Sequence, residues 1–234
     1  MTNVDPVEVS RFEDLATRWW DPEGEFKPLH QINPLRLDYI DSNFRLRDRR
    51  ILDLGCGGGL LAEAMEKRGA SVIGLDAGKT PIAIAKLHAQ EVGSKVKYIQ
   101  GTAEKLASTH SNHFDGITCM EMLEHVPRPE EVVRACSQLI RPGGVVFFST
   151  INRNPKSWLL AIAAAEYLLD LLPRGTHRYD RFIRPSELEN WGSECGLMLE
   201  AIIGLHYNPL LGTYRLGPGT AVNFLMRFRR PVLA

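Results

Sequence analysis

The sequence predicts an α/β fold, a doubly wound and mostly parallel sheet with helices on both faces. Between Arg50 and Thr150 short apolar runs alternate with helix-like stretches, the pattern left by successive strand-helix-strand units. The first run ends in Leu54-Gly55-Cys56-Gly57-Gly58-Gly59, a glycine-rich turn at the carboxyl end of a strand, where open parallel sheets bind their ligands. The second run ends in an acid, Asp76.

Strands are read at Ile51 to Leu54, Ser71 to Leu75, Val96 to Gln100, Gly116 to Met120 and Val145 to Ser149. Between the first two, Leu60, Leu61, Ala64 and Met65 recur at helical spacing and Gly69 closes the helix, the residue best able to take the left-handed cap conformation. Pro81 suits the first turn of the next helix, where its missing N–H costs nothing. After Pro129 the run Glu130 to Ile140 is amphipathic, and Arg141-Pro142-Gly143-Gly144 turns the chain into the fifth strand.

Two segments lie outside this alternation. Phe12 to Ile40 holds Trp19, Trp20, Phe26 and turn-forming residues from Asp21 to Glu25, a composition suited to a partly ordered cap over the ligand edge of the sheet. Ser157 to Pro173 is an apolar run interrupted by Glu166 and Asp170, too short and too acidic for a bilayer span of about 20 apolar residues.

Composition narrows the function. Of 234 residues, 44% are hydrophobic and 24% charged, with 28 Lys+Arg against 28 Asp+Glu. That profile excludes wholesale disorder and argues against a general nucleic-acid binder, which carries a basic excess. Cys56, Cys119, Cys136 and Cys195 form no CxxC pair, so they read as reduced thiols rather than a zinc site or a disulfide framework. The acidic start, with Asp5, Glu8, Glu13 and Asp14, resembles neither a secretory signal nor a transit peptide. A cytoplasmic location is expected.

A dinucleotide fingerprint counted from Gly55 would need glycine at position 60, which is Leu60; the glycines fall at 55, 57 and 59. That spacing disfavours NAD and a nicotinamide-dependent oxidoreductase. Asp76 at a matching strand end can accept hydrogen bonds from both hydroxyls of a ribose. Together they point to an adenosine-type ligand without a pyrophosphate.

With LDLGCGGG, the acid ending strand two and the RPGG turn before strand five, the chain resembles the class I S-adenosylmethionine-dependent methyltransferases. It is similar above all to the ubiquinone-biosynthesis O-methyltransferases, in RWWDPEGEFKPLHQINPLRLDYI, CMEMLEHVPRPEEVVRAC, FFSTINRNPKSW, RGTH and GLHYNPL. The resemblance runs from about Arg11 to Asn223. It implies a Rossmann-like seven-stranded sheet in a single methyltransferase domain, 1–234, divided into an N-terminal helical cap (1–49), a cofactor-binding core (50–152), an apolar lid or insertion (153–184) and the rest of the sheet (185–234).

Carried over residue by residue, the resemblance places Gly55 and Gly57 against S-adenosyl-L-methionine, Asp76 on its ribose, Arg36 on its carboxylate and Met120 beside it. Ala103, in Gly101 to Glu104 after strand three, reaches toward the adenine. Glu121, Glu124 and His125 share one face if their segment is helical, and two carboxylates with an imidazole suit Mg²⁺. The resemblance implies the same three as metal ligands and catalytic residues, His125 acting either as ligand or as general base.

The implied substrates are phenol or catechol hydroxyls of polyprenylated benzenoids of the 2-polyprenyl-6-hydroxyphenol and 3-demethylubiquinol type. A cation on a catechol would lower the phenol pKa of about 10. Ser157 to Pro173, flanked by Arg153, Lys156, Arg174, His177, Arg178, Arg181 and Arg184, suits an interfacial helix within segment 157–184. It implies peripheral contact with an anionic membrane, at the cytoplasmic face of the inner membrane, and a complex with other quinone-biosynthesis enzymes. C-methylation in the same pathway and a non-enzymatic cofactor-binding module are the rival readings.

Overall fold

Alternating apolar residues along the central strands build a two-sided core, because successive side chains of a strand point to opposite faces. The computed structural model describes residues 3–157, 179–208 and 210–232. Five strands come in the order the sequence predicts: β1 (Arg50–Leu54), β2 (Ser71–Asp76), β3 (Lys97–Gln100), β4 (Phe114–Met120) and β5 (Ile140–Ile151). Three more follow, β6 (Met198–Asn208), β7 (Thr213–Gly217) and β8 (Asn223–Arg229).

The sheet order is β3-β2-β1-β4-β5-β8-β6-β7. β3, β2, β1, β4 and β5 run parallel, while β8, β6 and β7 are antiparallel additions. The sheet thus has eight strands rather than the expected seven. The extra one, β7, forms a hairpin with β6 and occupies the sheet edge. β5 also begins earlier than expected, carrying Arg141 to Gly144 within the strand, with a register shift opposite Phe114 and Gly116. Such a bulge accommodates an extra residue, and Gly143 takes the positive φ of 79°.

On one face pack α2 (Lys27–Phe44), α3 (Leu60–Lys67) and α4 (Lys79–Val92), around Ile51, Val72, Val145, Phe147 and Leu225. On the other pack α5 (Ala103–Ala107), α6 (Pro129–Leu139) and α7 (Pro185–Glu194), around Leu52, Ile117, Val146, Phe148, Phe224 and Met226. Ile51 and Leu52, or Phe147 and Phe148, therefore serve opposite faces although adjacent in sequence. Gly69 and Gly93 end α3 and α4 with positive φ, as glycine permits.

The N-terminal segment is well structured rather than partly ordered. It forms α1 (Pro6–Leu15), a 3₁₀ turn (Ala16–Arg18) and α2. Asp5 caps α1 by accepting from the Val7 N–H at 3.0 Å, and Pro6 occupies the tolerant first position. Most of the apolar segment 157–184 lies outside the described residues. Among the described residues no helix is long and apolar enough to cross a membrane.

After β1 and β2 the chain builds outward to β3, then returns to β4 on the other side of β1. The carboxyl ends of β1 and β4 therefore flank the switch point of the sheet, the place where such folds bind ligands. Leu52 is fully buried at the centre of this arrangement. Leu52→Ala is expected to cost about 2–5 kcal/mol, read as a lower midpoint in urea denaturation with an unchanged slope.

Candidate active site

Three positive-φ glycines curl the chain at the end of β1: Gly55 at 72°, Gly57 at 51° and Gly59 at 95°. L side chains are disfavoured in this left-handed region, so the glycines fix the turn. Asp76, ending β2, ties it down. One oxygen of its carboxylate accepts from the Gly57 N–H at 3.0 Å and the other from the Gly78 N–H at 2.8 Å. Burial raises its pKa against these bonds. Each oxygen keeps a second lone pair, so a ribose diol remains within its chemistry. Nearby, burial pushes Asp53 up to about 7, although Thr118 Oγ1 donates to it at 2.7 Å.

The glycine turn also touches side chains that sequence reasoning did not assign to it. A Cβ on Gly57 or Gly58 would run into the Trp19 indole, and one on Gly55 would come within 2.7 Å of Met122 Cγ. Trp19 is held by Phe26, ring centroids 4.1 Å apart. Trp20 donates from Nε1 to Gly58 O at 3.0 Å and stacks on His88 with centroids 3.4 Å apart; His88 Nδ1 lies 3.0 Å from Glu63. The tryptophan pair had signalled a cap, but not which backbone it would press upon.

The residues expected beside the cofactor come together in part. Ala103 is the buried first residue of α5, whose N-cap Thr102 accepts from the Lys105 N–H. Met120 ends β4, half-buried against the core under α2 to α4. Arg36 is buried on α2, and its guanidinium donates to Glu121 Oε1 at 2.5 Å. A free guanidinium awaiting a carboxylate is thus not what the structure presents; Glu121 already fills that role.

Glu121, Glu124 and His125 do not share a helical face, which corrects the expectation from spacing. Glu121 adopts a φ of 50°, left-handed and strained for a non-glycine residue. Only Leu123–His125 forms a 3₁₀ turn. Three donors hold Glu121 in its strained place: Arg36, Ser149 Oγ at 2.5 Å and Asn223 Nδ2 at 2.8 Å. Glu124 is buried, accepts from Thr150 Oγ1 at 2.7 Å, and has its pKa raised by burial and by the charge of Glu121.

His125 points elsewhere, its Nδ1 2.8 Å from Glu8 Oε2 and its ring edge-on to Phe12 at 5.1 Å. Burial alone would lower its pKa, but the Glu8 bond and the charges of Glu124, Glu8 and Glu121 outweigh that and raise it.

These donors do not fit a Mg²⁺ site as arranged. Glu121 is matched by a guanidinium and two further donors, and His125 is turned to Glu8. Among the described residues no group of three or more His, Cys, Asp and Glu is placed to hold a metal ion. The donor set suits S-adenosylmethionine better: the backbone of a glycine turn that Trp19 and Met122 touch, the Asp76 carboxylate ending β2 and the buried Arg36 guanidinium, engaged by Glu121. Cys56, Cys119 and Cys136 are buried, Cys195 half-buried, and all are free; burial pushes the thiols of the first three upward, so none of those three is poised as a nucleophile.

Sheet order, glycine turn and strand-end acid define an S-adenosylmethionine-dependent methyltransferase of the class I fold. A family profile described as a methyltransferase domain matches residues 29–202. The fold is shared with a methyltransferase of Thermotoga maritima described as a possible histamine N-methyltransferase, with TM-score 0.68 and 18% identity over 95% of this chain and 99% of that one. The magnesium protoporphyrin IX methyltransferase of Synechocystis aligns with TM-score 0.66 and 15% identity, covering 88% and 85%.

Sequence relatives are much nearer. The ubiquinone biosynthesis O-methyltransferase of Pseudomonas putida is 56% identical over 230 residues, 98% of this chain and 99% of the relative. That of Salmonella typhimurium is 55% identical over 228 residues, covering 97% and 94%. The chain belongs to the ubiquinone biosynthesis O-methyltransferase family, and its methyl donor is S-adenosylmethionine.

Two outcomes follow for the site. Gly57→Ala, forced into a φ of 51° against Trp19, is expected to lose at least about 1–2 kcal/mol, read by chemical denaturation, with red-shifted tryptophan emission. The second concerns the Glu8–His125 contact. The Glu8 pKa lies below its ordinary 4.5, chiefly through the bond to His125. A lowered carboxylate contributes stability that is full above 4.5 and lost as pH falls through its folded value. A raised imidazole contributes stability that is full below 6.5 and lost as pH rises through its folded value. The ionic contact is therefore complete between about pH 4.5 and 6.5. Amide exchange in α1, corrected for the intrinsic pH dependence, should be slowest in that window.

Proposed function

We propose that this enzyme methylates a phenolic hydroxyl of polyprenylated benzenoids, of the 2-polyprenyl-6-hydroxyphenol and 3-demethylubiquinol type, with His125 as the general base. The observation that carries the assignment of the base is the fixed orientation of a half-buried imidazole at the carboxyl edge of the sheet, beside the acids that follow β4. The substrate class rests on the high identity to relatives named for ubiquinone biosynthesis.

When bound, S-adenosylmethionine supplies an activated methyl on sulfonium, displaced in line by the phenolate oxygen. The S–CH₃ bond breaks, the O–CH₃ bond forms, and sulfur leaves as a neutral thioether. The chain must align the partners and remove the phenol proton, because a phenol with a pKa of about 10 is scarcely ionised at neutral pH. Gly55 and Gly57 offer the donor the backbone of a turn that Met122 and Trp19 also touch, Asp76 takes the ribose hydroxyls, and Met120 and Ala103 wall the adenosine. Arg36 takes the donor's carboxylate on the guanidinium it shares with Glu121, which Ser149 and Asn223 also hold in place.

His125 receives the phenol proton at Nε2. Its raised pKa makes it the stronger base once it is deprotonated, and Glu8, Glu124 and Glu121 stabilise the imidazolium that forms. No step is routed through a divalent cation, since Arg36 already supplies the charge that Glu121 needs. For the polyprenyl tail, segment 157–184 is the candidate contact with an anionic bilayer. Two residues of its basic border are engaged within the protein, Arg153 with Glu187 and Arg181 with Asp5. Sedimentation with anionic liposomes tests that contact, and absence of binding removes it.

The function is tested by transfer of labelled methyl from S-adenosylmethionine to a short-chain prenylated catechol. His125→Ala should lower kcat by about 10²–10⁴-fold while leaving the affinity for S-adenosylhomocysteine within a few-fold. Undiminished kcat in that variant would sink the base assignment. Turnover that vanishes with chelator and returns with Mg²⁺ would overturn the cation-free reading.

A further inference from the structure

The β6–β7 hairpin carries an apolar strip that adjoins the site without belonging to the donor or base residues. β6 runs in the same direction as β5, because each pairs antiparallel with β8. Its last residues therefore lie at the carboxyl edge of the sheet. Leu205 pairs with Asn223, and Asn223 with Ile151, the end of β5. Tyr207 thus stands two residues past the end of β5, roughly 7 Å beyond the rim.

Ile203 packs against the core under α2, and alternation along β6 puts Leu205 and Tyr207 on that same face. Across the hairpin they pair with Leu216 and Tyr214, and Leu205, Leu216 and Tyr214 are half-buried. The Tyr207 and Tyr214 rings lie 4.7 Å apart, tilted by 37°. β7 packs on α2, the helix that carries Arg36. Burial pushes the Tyr214 phenol up to about 12, Tyr207 adding to the rise and the charge of Arg36 opposing it. The strip thus begins beside Arg36 and Asn223, both of which donate to Glu121.

Beyond the tyrosines, Leu210 and Leu211 are 93% and 73% exposed. They are held outward by a built turn: Asn208 Oδ1 accepts from both their N–H groups, at 3.0 and 3.3 Å, and Gly212 takes a φ of 62°. The opposite face of β7 presents Thr213 and Arg215 to solvent, so the apolar character is confined to one side. Apolar groups gathered in this way on a surface mark a binding site.

We propose that this strip, from Leu205 and Leu216 over the Tyr207–Tyr214 pair to Leu210 and Leu211, is the subsite for the first isoprene units of the acceptor's tail. The inference rests on the reading of the acceptor as a polyprenylated phenol. Continuity with the rim identifies the occupant: the strip starts at the site and ends in solvent, the course of a chain whose ring is held inside. An isoprene unit has no hydrogen-bonding group, so aromatic faces and leucines match it by apolar contact alone. The far end is open and sets no limit on tail length.

The test measures methyl transfer from S-adenosylmethionine to catechols bearing no, one or two isoprene units, with the full chain and without lipid or detergent. Each protein is read by its ratio of kcat/KM between the two-unit and the unprenylated acceptor. In the parent this ratio should be about 10–100, carried by KM. Tyr207→Ser and the double variant Leu210→Ser/Leu211→Ser should each lower it at least about fivefold, with the affinity for S-adenosylhomocysteine changed less than about twofold. Ile202→Ser, exposed on the other face of β6, should keep the parent's ratio.

A parent that gains nothing from the tail, or a gain that survives in both strip variants, overturns the proposal. So does an equal loss for all three acceptors, which marks a structural role and leaves the ratio intact. Variants that keep the ratio yet sediment less with anionic liposomes would set the tip against a bilayer instead of the tail. If the parent methylates none of the three catechols, the acceptor reading itself fails, and the subsite with it.

Discussion

The ligand edge of this protein depends on the carboxylate of Asp76. It accepts N–H groups from the turn after β1 and from the loop entering α4, and so binds two neighbouring strand ends into one rigid rim. It adds to the backbone bonds from Gly55 and Cys56 to the Leu75 carbonyl in ordering a turn whose glycines lose more conformational freedom than any other residue. Trp19 and Met122 rest on that rim, and through Trp20, His88 and Glu63 the cap is joined to α3 and α4. The N-terminal segment is thus seated partly on this rim and partly through Asp5, Glu8 and Glu13 on Arg181, His125 and Lys79.

A second constraint is electrostatic. Glu121, Glu124, Asp53 and Asp76 crowd the carboxyl ends of β1, β2 and β4, and burial raises the pKa of the last three. Removing one partner from such a cluster leaves a buried charge unmatched, which costs more than the pair contributes. Arg36 is the buried cation among them, and its bond to Glu121 keeps a strained residue in register with Ser149 and Asn223. Any carboxylate from the donor that approaches Arg36 must share that guanidinium with Glu121.

The central strands were legible because each is a short apolar run bounded by turn formers, a local property of the chain. The structure extends them by a residue or more at some ends, most of all β5, where a bulge lets Arg141 to Gly144 stay in the strand. β6 to β8 were legible only as the remainder of the sheet. They are antiparallel, and β6 exposes Met198 and Ile202, so their pattern is weaker. In the site, Gly55, Gly57 and Asp76 were legible from spacing at strand ends. The partners of His125 and Glu121 were not, because Glu8 and Arg36 lie 117 and 85 positions away. The left-handed φ of Glu121 broke the helical spacing on which a three-residue ligand set had relied.

The buried thiol of Cys56 gives the molecule an internal clock. It sits inside the glycine turn, its Sγ 3.7 Å from the Gly57 carbonyl, while Cys195 is the one half-buried thiol of the four. An alkylating reagent attacks thiolates that solvent can reach. Cys195 is thus labelled from the folded state, and Cys56 only when the turn opens. The ratio of the two labelling rates times how often the glycine turn comes apart.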